Sequence, residues 1–234
     1  MTEITEEFVG ERVESLRKDK EVIGVAVVGS YARAPDRSHN DLDLFVLVSG
    51  EWYKRKTEEI DGITVEYFYN SMNKAVEWLE GEQWWKNYHW YMNADVRYDP
   101  EDRFETLREK AEQVRDKEMN LTQQEKEEYA YEIWDNLQDL ETDDVAQKRY
   151  LMNSFFDELV QKHYMLEEKV PVKNNYRVKH LRDFSGYMYK LAQDFLLASS
   201  TMEKEKTLQK IVEHVSDGLP EISAEFQTEK TKRN

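Results

Sequence analysis

Short apolar runs in the first half of the chain predict the strands of a sheet. Residues 22–28 are continuously apolar, and residues 41–48 become so after an opening Asp-Leu-Asp; both patterns are typical of buried strands. Residues 63–69 alternate between two faces and are rich in β-branched and aromatic side chains, which predicts a third strand. A short strand is predicted over 95–98. The charged stretch 50–62 predicts a connection with some helical character instead.

Helical spacing of apolar residues accounts for the rest of this half. It predicts a helix over residues 3–19 and a short helical turn over 30–34, which Pro35 ends. Helical segments are predicted within 72–92, and another helix runs from 99 to about 117. The segment 72–92 carries four tryptophans. We expect them to fill a core, the more frequent role of clustered aromatic residues, or to stack on a base or sugar ring.

Strand patterns disappear beyond residue 118, where the chain becomes helical. Thr122 and Glu125 form a capping box that opens a helix to about residue 140. Asp143 is expected to cap the next helix, which extends to about residue 167. Two more helices are predicted over 176–199 and 202–215. Four helices joined by short connections predict an antiparallel bundle.

These patterns define the predicted architecture. A chain of 234 residues accommodates one large domain or two small ones. Residues 1–118 are predicted to form an α/β domain with a short mixed sheet, and residues 119–220 an all-α helical bundle. Residues 221–234 are predicted to be a partly disordered tail.

Charge and composition exclude several classes of partner. The net charge is -16 and there is no cysteine, which rules out disulfides and thiol chemistry. An acidic surface repels nucleic-acid phosphates, so the charge disfavours a nucleic-acid partner; it suits a cationic small substrate or simply a solvated surface. No apolar run approaches the ~20 residues that span a bilayer, and the acidic N-terminus does not resemble a signal peptide. We therefore expect a cytoplasmic protein without a membrane partner.

Candidate chemistry is concentrated where the first two predicted strands meet. Gly29 and Ser30 follow the first strand, and Asp41 and Asp43 open the second. Side chains alternate along a strand, so the two carboxylates share a face about 7 Å apart. Two like charges on one face require a cation between them, and all-oxygen ligation suits Mg²⁺ or Mn²⁺. A tight turn at Gly29, followed by a helix start at Ser30, is typical of a phosphate-binding site.

This arrangement resembles the nucleotidyltransferase superfamily related to DNA polymerase beta. The family pattern is a strand, Gly-Ser, a spacer of roughly ten residues and Asp-x-Asp in a second strand, all of which is present here. The run from Gly29 to Arg33 also resembles the G-S-x-A-R-G form of small bacterial and archaeal members, which include aminoglycoside and lincosamide nucleotidyltransferases. Ala34 replaces the usual final glycine. A third carboxylate is expected on a later strand, and Glu66 matches it.

The resemblance implies a reaction and a set of site residues. The expected activity is metal-dependent transfer of a nucleoside monophosphate, AMP from ATP, to a hydroxyl of a small acceptor such as an aminoglycoside-like antibiotic, with release of pyrophosphate. Asp41, Asp43 and Glu66 would be both the catalytic residues and the ligands of Mg²⁺ or Mn²⁺, Glu66 serving as ligand, as general base, or as both. Gly29 and Ser30 would cradle the β and γ phosphates. The resemblance also allows a homodimer.

Basic residues in two parts of the sequence are candidates for contact with the nucleotide. Arg33 would hold the short helix in place or add positive charge near the phosphates. A basic cluster in the predicted bundle includes Lys179, which we expect either to reach the triphosphate or to pair, like its neighbours, with acids on adjacent helices. The members of this cluster are Lys173, Arg177, Lys179, His180 and Arg182.

Other functions remain open at this point. An antitoxin-like nucleotidyltransferase that modifies a partner protein shares the G-S-x-A-R run, although such proteins are usually a single short domain. A non-catalytic nucleotide-binding interaction protein is the second alternative, which three intact candidate carboxylates disfavour. A terminal transferase acting on nucleic acid is disfavoured by the net charge of -16.

Overall fold

The computed structural model describes residues 3–35, 37, 39–81 and 84–221. The chain divides into two compact units, Met1–Lys117 and Glu118–Asn234. The predicted disordered tail, 221–234, lies outside the described residues except for its first position. No helix in the described part of the chain combines the length and the apolar character that crossing a bilayer requires.

The first unit is built on a mixed five-stranded sheet, which confirms the predicted fold class. The strand order is β3-β4-β2-β1-β5. β2 and β4 are parallel, and the other neighbouring pairs are antiparallel. The strands are β1 (Val22–Val28), β2 (Asp41–Val48), β3 (Tyr53–Ile60), β4 (Ile63–Asn70) and β5 (Asp95–Tyr98).

Helices cover both faces of this sheet because alternate strand residues are apolar on both sides. On one face Leu44 and Val46 belong to the same buried cluster as Val9 and Val13 of the first helix. On the other face the ring of Phe45 contacts three aromatic rings, those of Trp90, Tyr91 and Phe104. The helices of this unit are α1 (Glu6–Leu16), α2 (Gly29–Arg33), α3 (Met72–Glu80), α4 (Trp84–Met92) and α5 (Arg103–Met119).

The prediction of a partly helical connection over 50–62 is wrong, because this stretch contains the edge strand β3. β3 and β4 form a hairpin in which Ile60 pairs with Ile63. The two residues between them, Asp61 and Gly62, have φ of 53° and 79°. Positive φ at both turn positions is typical of the tight hairpin turn that Asp-Gly sequences favour. β3 lacks an apolar pattern because it is an exposed edge strand held by backbone pairing.

The second unit is an all-α bundle, as predicted, but it has five described helices rather than four. The predicted helix over 176–199 is interrupted at Ser185, whose backbone leaves the helical conformation at φ -139° and ψ 78° and whose hydroxyl lies 2.9 Å from His163 Nε2. The capping box of Thr122 and Glu125 is present. The helices are α6 (Gln123–Asp139), α7 (Val145–Leu166), α8 (Asn174–Phe184), α9 (Gly186–Leu197) and α10 (Thr201–Ser216).

The cap of α7 lies one residue later than predicted. Asp144, not Asp143, accepts hydrogen bonds from the amides of Ala146 and Gln147 at 2.8 and 3.0 Å. Both residues are aspartates, so the sequence pattern alone does not distinguish them. The interior of the bundle is apolar and includes Phe155, Leu159, Leu191, Phe195, Leu208 and Ile211.

Candidate active site

Carboxylates from two parallel strands lie side by side on one face of the sheet. In the β2–β4 ladder Asp43 is the register partner of Glu66, and Asp41 is the partner of Thr64. Register partners in a ladder point to the same face, and neighbouring strands are about 4.8 Å apart. Asp41 is exposed, whereas Asp43 and Glu66 are half-buried. The structure therefore brings the three predicted carboxylates to one region of the sheet face.

The turn after β1 lies directly against one of these carboxylates. Gly29 has φ +76°, and a Cβ placed on it would lie 2.0 Å from Asp43 Oδ2. Val28, the residue before it, is the register partner of Asp43. Only glycine fits here, because any side chain would meet both an unfavourable backbone conformation and the carboxylate. Asp43 thus lies between the Gly29 backbone and Glu66.

Ser30 is fixed by a histidine that precedes the second strand. The Ser30 hydroxyl is 3.1 Å from His39 Nδ1, and His39 Nε2 is 2.6 Å from the carbonyl oxygen of Ala34. A carbonyl only accepts, so Nε2 carries the proton and donates it, and in the neutral ring Nδ1 accepts from Ser30. His39 therefore links both ends of α2 and sets the position of the Ser30 side chain.

Arg55 forms an ion pair with Glu66 that the sequence did not predict. Its Nη2 donates to both carboxylate oxygens of Glu66 at 2.9 Å, and its guanidinium lies 5.0 Å from the centre of the Phe68 ring. Arg55 lies on β3, opposite Phe68 in the hairpin register. Sequence reasoning can find this pair only if residues 53–60 are assigned as a strand. The Asp-Gly turn that follows them is the signal that identifies this strand.

The carboxylates have the right chemistry to bind a divalent cation, but the side chain of Glu66 must first move. Asp41 and Asp43 supply oxygen ligands on one strand face, which is the ligand type that Mg²⁺ prefers. Among the described residues no three His, Cys, Asp or Glu side chains are already grouped to hold a metal ion. Both oxygens of Glu66 are engaged by Arg55. A carboxylate paired with an arginine keeps lone pairs that can bind a cation, so Glu66 would join Asp41 and Asp43 through a side-chain movement, with or without opening of that ion pair.

An aromatic cleft of about 400 Å³ lies on the same side of the hairpin as Arg55. The four tryptophans of the segment 72–92 differ in burial, and the predicted stacking on a base or sugar ring stays a prediction. Trp84 and Trp85 are buried, whereas Trp78 and Trp90 are half-buried and line the cleft. The described residues that line it are Tyr53, Arg55, Phe68, Glu77, Trp78, Gly81, Lys86, Asn87 and Trp90.

The basic cluster of the bundle is largely engaged within the second unit. Arg177 is buried and pairs with Asp157 on α7. His180 Nδ1 lies 2.9 Å from the hydroxyl of Tyr164. Lys179 is exposed on α8, and its predicted contact with the triphosphate stays a prediction. Arg33, at the end of α2, is exposed as well, and its predicted role near the phosphates stays a prediction.

Comparisons with known proteins confirm the fold. The crystal structure of a nucleotidyltransferase-like protein from Exiguobacterium sibiricum is similar to this chain with a TM-score of 0.51 and 15% sequence identity. The similarity covers 89% of this chain and 73% of that protein. At this identity it shows a shared nucleotidyltransferase-like fold alone. No protein-family model matches the sequence, and no curated protein matches it.

Proposed function

We propose that the protein is a metal-dependent nucleotidyltransferase that moves AMP from ATP to a hydroxyl of a small acceptor. The observation that carries this proposal is the placement of Asp43 between the Gly29 backbone and Glu66. It places the Gly29 turn, the carboxylate pair and the third carboxylate on adjacent elements. The nucleotidyltransferase-like fold supports the same reading.

The proposed reaction is a displacement at the α-phosphorus of ATP. The acceptor oxygen forms a bond to that phosphorus, the bond between the α-phosphorus and its bridging oxygen breaks, and pyrophosphate leaves. The proton of the acceptor hydroxyl passes to the Glu66 carboxylate. Asp41 and Asp43 would hold Mg²⁺ or Mn²⁺, which when bound neutralises phosphate charge and makes the hydroxyl more acidic. Glu66 would contribute a further ligand in the same site.

The remaining site residues would position the nucleotide. Gly29 and Ser30 would cradle the β and γ phosphates, with Ser30 held by His39 through the 3.1 Å contact. Arg33 would add positive charge near the phosphates. An aminoglycoside-like acceptor, which would make the protein an antibiotic-modifying enzyme, is the class expected from the motif resemblance.

Transfer of label from ATP tests the proposal directly. The full chain, Mg²⁺ and ATP labelled at the α-phosphate are incubated with a panel of aminoglycosides, lincosamides and a cell extract. We expect labelled AMP on a small molecule, equimolar pyrophosphate, and no product from Asp43→Asn. Glu14→Gln is the matched control, because Glu14 is an exposed acid on α1 paired with Arg17. Product from Asp43→Asn equal to that of the control would overturn the proposal, and label on a protein would favour the antitoxin-like alternative.

A further inference from the structure

We infer that the aromatic cleft receives the acceptor of the proposed reaction, and that this acceptor carries a ring and an anionic or neutral group rather than several amines. The inference rests on the proposed function for the location of the reaction. The chemistry inferred for the cleft follows from its lining residues and does not depend on that function. Three observations carry it: the order of the strands, the lining of the cleft and the ion pair of Arg55.

The order of the strands separates the phosphate side of the site from the cleft. Across the sheet, β1 with Gly29 lies on one side of β2, and β4 and then β3 lie on the other. Arg55 on β3 and Phe68 on β4 line the cleft. Attacking and leaving oxygens lie roughly in line on opposite sides of a transferred phosphorus. With the leaving pyrophosphate near Gly29, the attacking hydroxyl enters from the β4–β3 side, where the cleft lies.

The lining of the cleft suits a ring. Tyr53 and Trp78 make an edge contact with ring centres 5.7 Å apart, and Phe68 and Trp90 make another at 4.7 Å. Tyr53 is 54% exposed, so part of its ring is accessible to a ligand in the cleft. Exposed aromatic faces beside a polar rim are typical of sites that stack aromatic or sugar rings.

The charges at the rim of the cleft disfavour a polyamine. Among the described lining residues Arg55 and Lys86 are cationic and Glu77 is acidic, and Arg55 is paired with Glu66. The carboxylate of Glu77 is paired with Lys74 at 2.5 Å. Fixed cations on the rim attract an anionic group of a ligand and repel an ammonium group. Among the described residues that line the cleft, cationic side chains therefore outnumber acidic ones, which is opposite to the balance of the whole chain, with its net charge of -16.

Arg55 connects the acceptor to the reacting carboxylate. Its side chain is 55% exposed, and that of Glu66 is 24% exposed. Exposed ion pairs contribute only about 0–1 kcal/mol, so an incoming anion can replace Glu66 as the partner of Arg55. That exchange would free both oxygens of Glu66 beside Asp43. Arg55 is thus assigned as a specificity-determining residue that couples acceptor binding to the release of Glu66.

Three matched alcohols test the inference without nucleotide or metal. The probes are para-(hydroxymethyl)benzoate, benzyl alcohol and para-(aminomethyl)benzyl alcohol, which share a ring and a hydroxyl and differ in charge. Binding is followed by the intrinsic fluorescence of the full chain, since Trp78 and Trp90 line the cleft. We expect the carboxylate to bind at least about tenfold more tightly than the amine, and Arg55→Gln to abolish that difference.

The matched control is Lys54→Gln. Lys54 is the neighbour of Arg55 on the same exposed strand and carries the same charge, but it faces Tyr69 on the opposite side of the sheet. This variant is expected to keep the preference for the carboxylate. Equal or tighter binding of the amine, a preference that survives Arg55→Gln, or the absence of saturable carboxylate binding would each overturn the inference.

Failure of this inference and failure of the proposed function give different results. Because the probes are tested without ATP, their failure to bind as expected overturns the acceptor class and leaves the proposed reaction intact. Metal-dependent binding of ATP to the full chain is measured separately by calorimetry. Its absence would overturn the proposed reaction, and with it the acceptor role of the cleft, whatever the probes do.

Discussion

At the scale of single residues, the candidate site depends on two close contacts. Gly29 allows the turn after β1 to lie against the Asp43 carboxylate, at a distance that excludes a Cβ. Arg55 holds both oxygens of Glu66 at 2.9 Å. The first contact brings the turn to the carboxylate pair, and the second pairs the third carboxylate with a guanidinium group. Each contact gives a prediction about a single substitution.

Gly29→Ala is expected to weaken ATP binding in the presence of Mg²⁺ by at least about tenfold. A Cβ at this position would lie 2.0 Å from Asp43 Oδ2, and its φ of +76° costs a non-glycine residue about 1–2 kcal/mol. Gly10→Ala is the matched control, since a Cβ on Gly10 in α1 meets nothing within 4 Å. Calorimetric titration of both variants with ATP checks this. Unchanged affinity in Gly29→Ala would remove the turn from the site.

Glu66→Gln is expected to separate nucleotide binding from transfer. If Glu66 takes the acceptor proton, the variant keeps affinity for MgATP within about tenfold of the unmodified protein. Transfer should fall about 10²- to 10⁴-fold, as is typical when a general base is lost. Parallel titration and label-transfer assays measure the two effects. Transfer at the unmodified rate would exclude Glu66 from the chemistry, and loss of MgATP binding would make it chiefly a metal ligand.

At the scale of elements, the sheet was predictable wherever burial imposes an apolar pattern. β1, β2 and β4 follow such runs, and their predicted positions agree with the structure to within a residue. The short strand β5 was also predicted at its observed position, although none of its residues is buried. β3 does not follow such a run, because its exposed residues face solvent and its stability comes from backbone pairing with β4. The Arg55 contact could not be derived without that pairing. At the interruption, the Ser185 hydroxyl makes a tertiary contact with His163, and a contact of this kind leaves no mark in the local apolar pattern.

Gly62→Ala is expected to lower the free energy of unfolding by about 1 kcal/mol. Gly62 has φ 79° in the two-residue turn of the β3–β4 hairpin, a conformation that a Cβ disfavours. Asp61→Asn is the matched control, because asparagine is equally suited to the first turn position, and its effect should stay within about 0.5 kcal/mol. Urea unfolding of both variants measures the difference. Equal stability of the two would contradict the assigned turn.

The packing of α7 predicts a dependence of stability on pH. Burial, with His214 beside it, lowers the pKa of His163 from 6.5 to about 4. Between these values the unfolded chain binds a proton that the folded chain does not, so stability falls as pH is lowered through this window. Between pH 7 and pH 5 the loss is about 2 kcal/mol.

His163→Gln is expected to reduce this loss by most of that amount, because glutamine can still reach the hydroxyl of Ser185 but does not titrate. Urea unfolding at pH 7 and pH 5, followed by circular dichroism, compares the variant with the unmodified protein. His163 also contacts the ring of Phe184, so the variant can be less stable at both pH values. Identical pH dependence of the two proteins would show that His163 does not carry the effect.

At the scale of the whole molecule, the chain joins a nucleotidyltransferase-like sheet to a helical bundle within one acidic protein. The candidate carboxylates, the Gly29 turn and the aromatic cleft all belong to the first unit. A net charge of -16 makes binding of a bare triphosphate unfavourable at long range. The proposed function therefore requires that the affinity for nucleotide depend on a divalent cation.

The most direct test of this requirement is calorimetric titration of the full chain with ATP, in the presence of Mg²⁺ or of a chelator in its place. The account predicts that removing Mg²⁺ weakens binding at least about a hundredfold, or 2.7 kcal/mol. It also predicts that Asp43→Asn loses the Mg²⁺ dependence, while the control Glu14→Gln retains it. Equal affinity for ATP with Mg²⁺ and with chelator, in the unmodified protein, would contradict the assignment of Asp41 and Asp43 as the metal-triphosphate site.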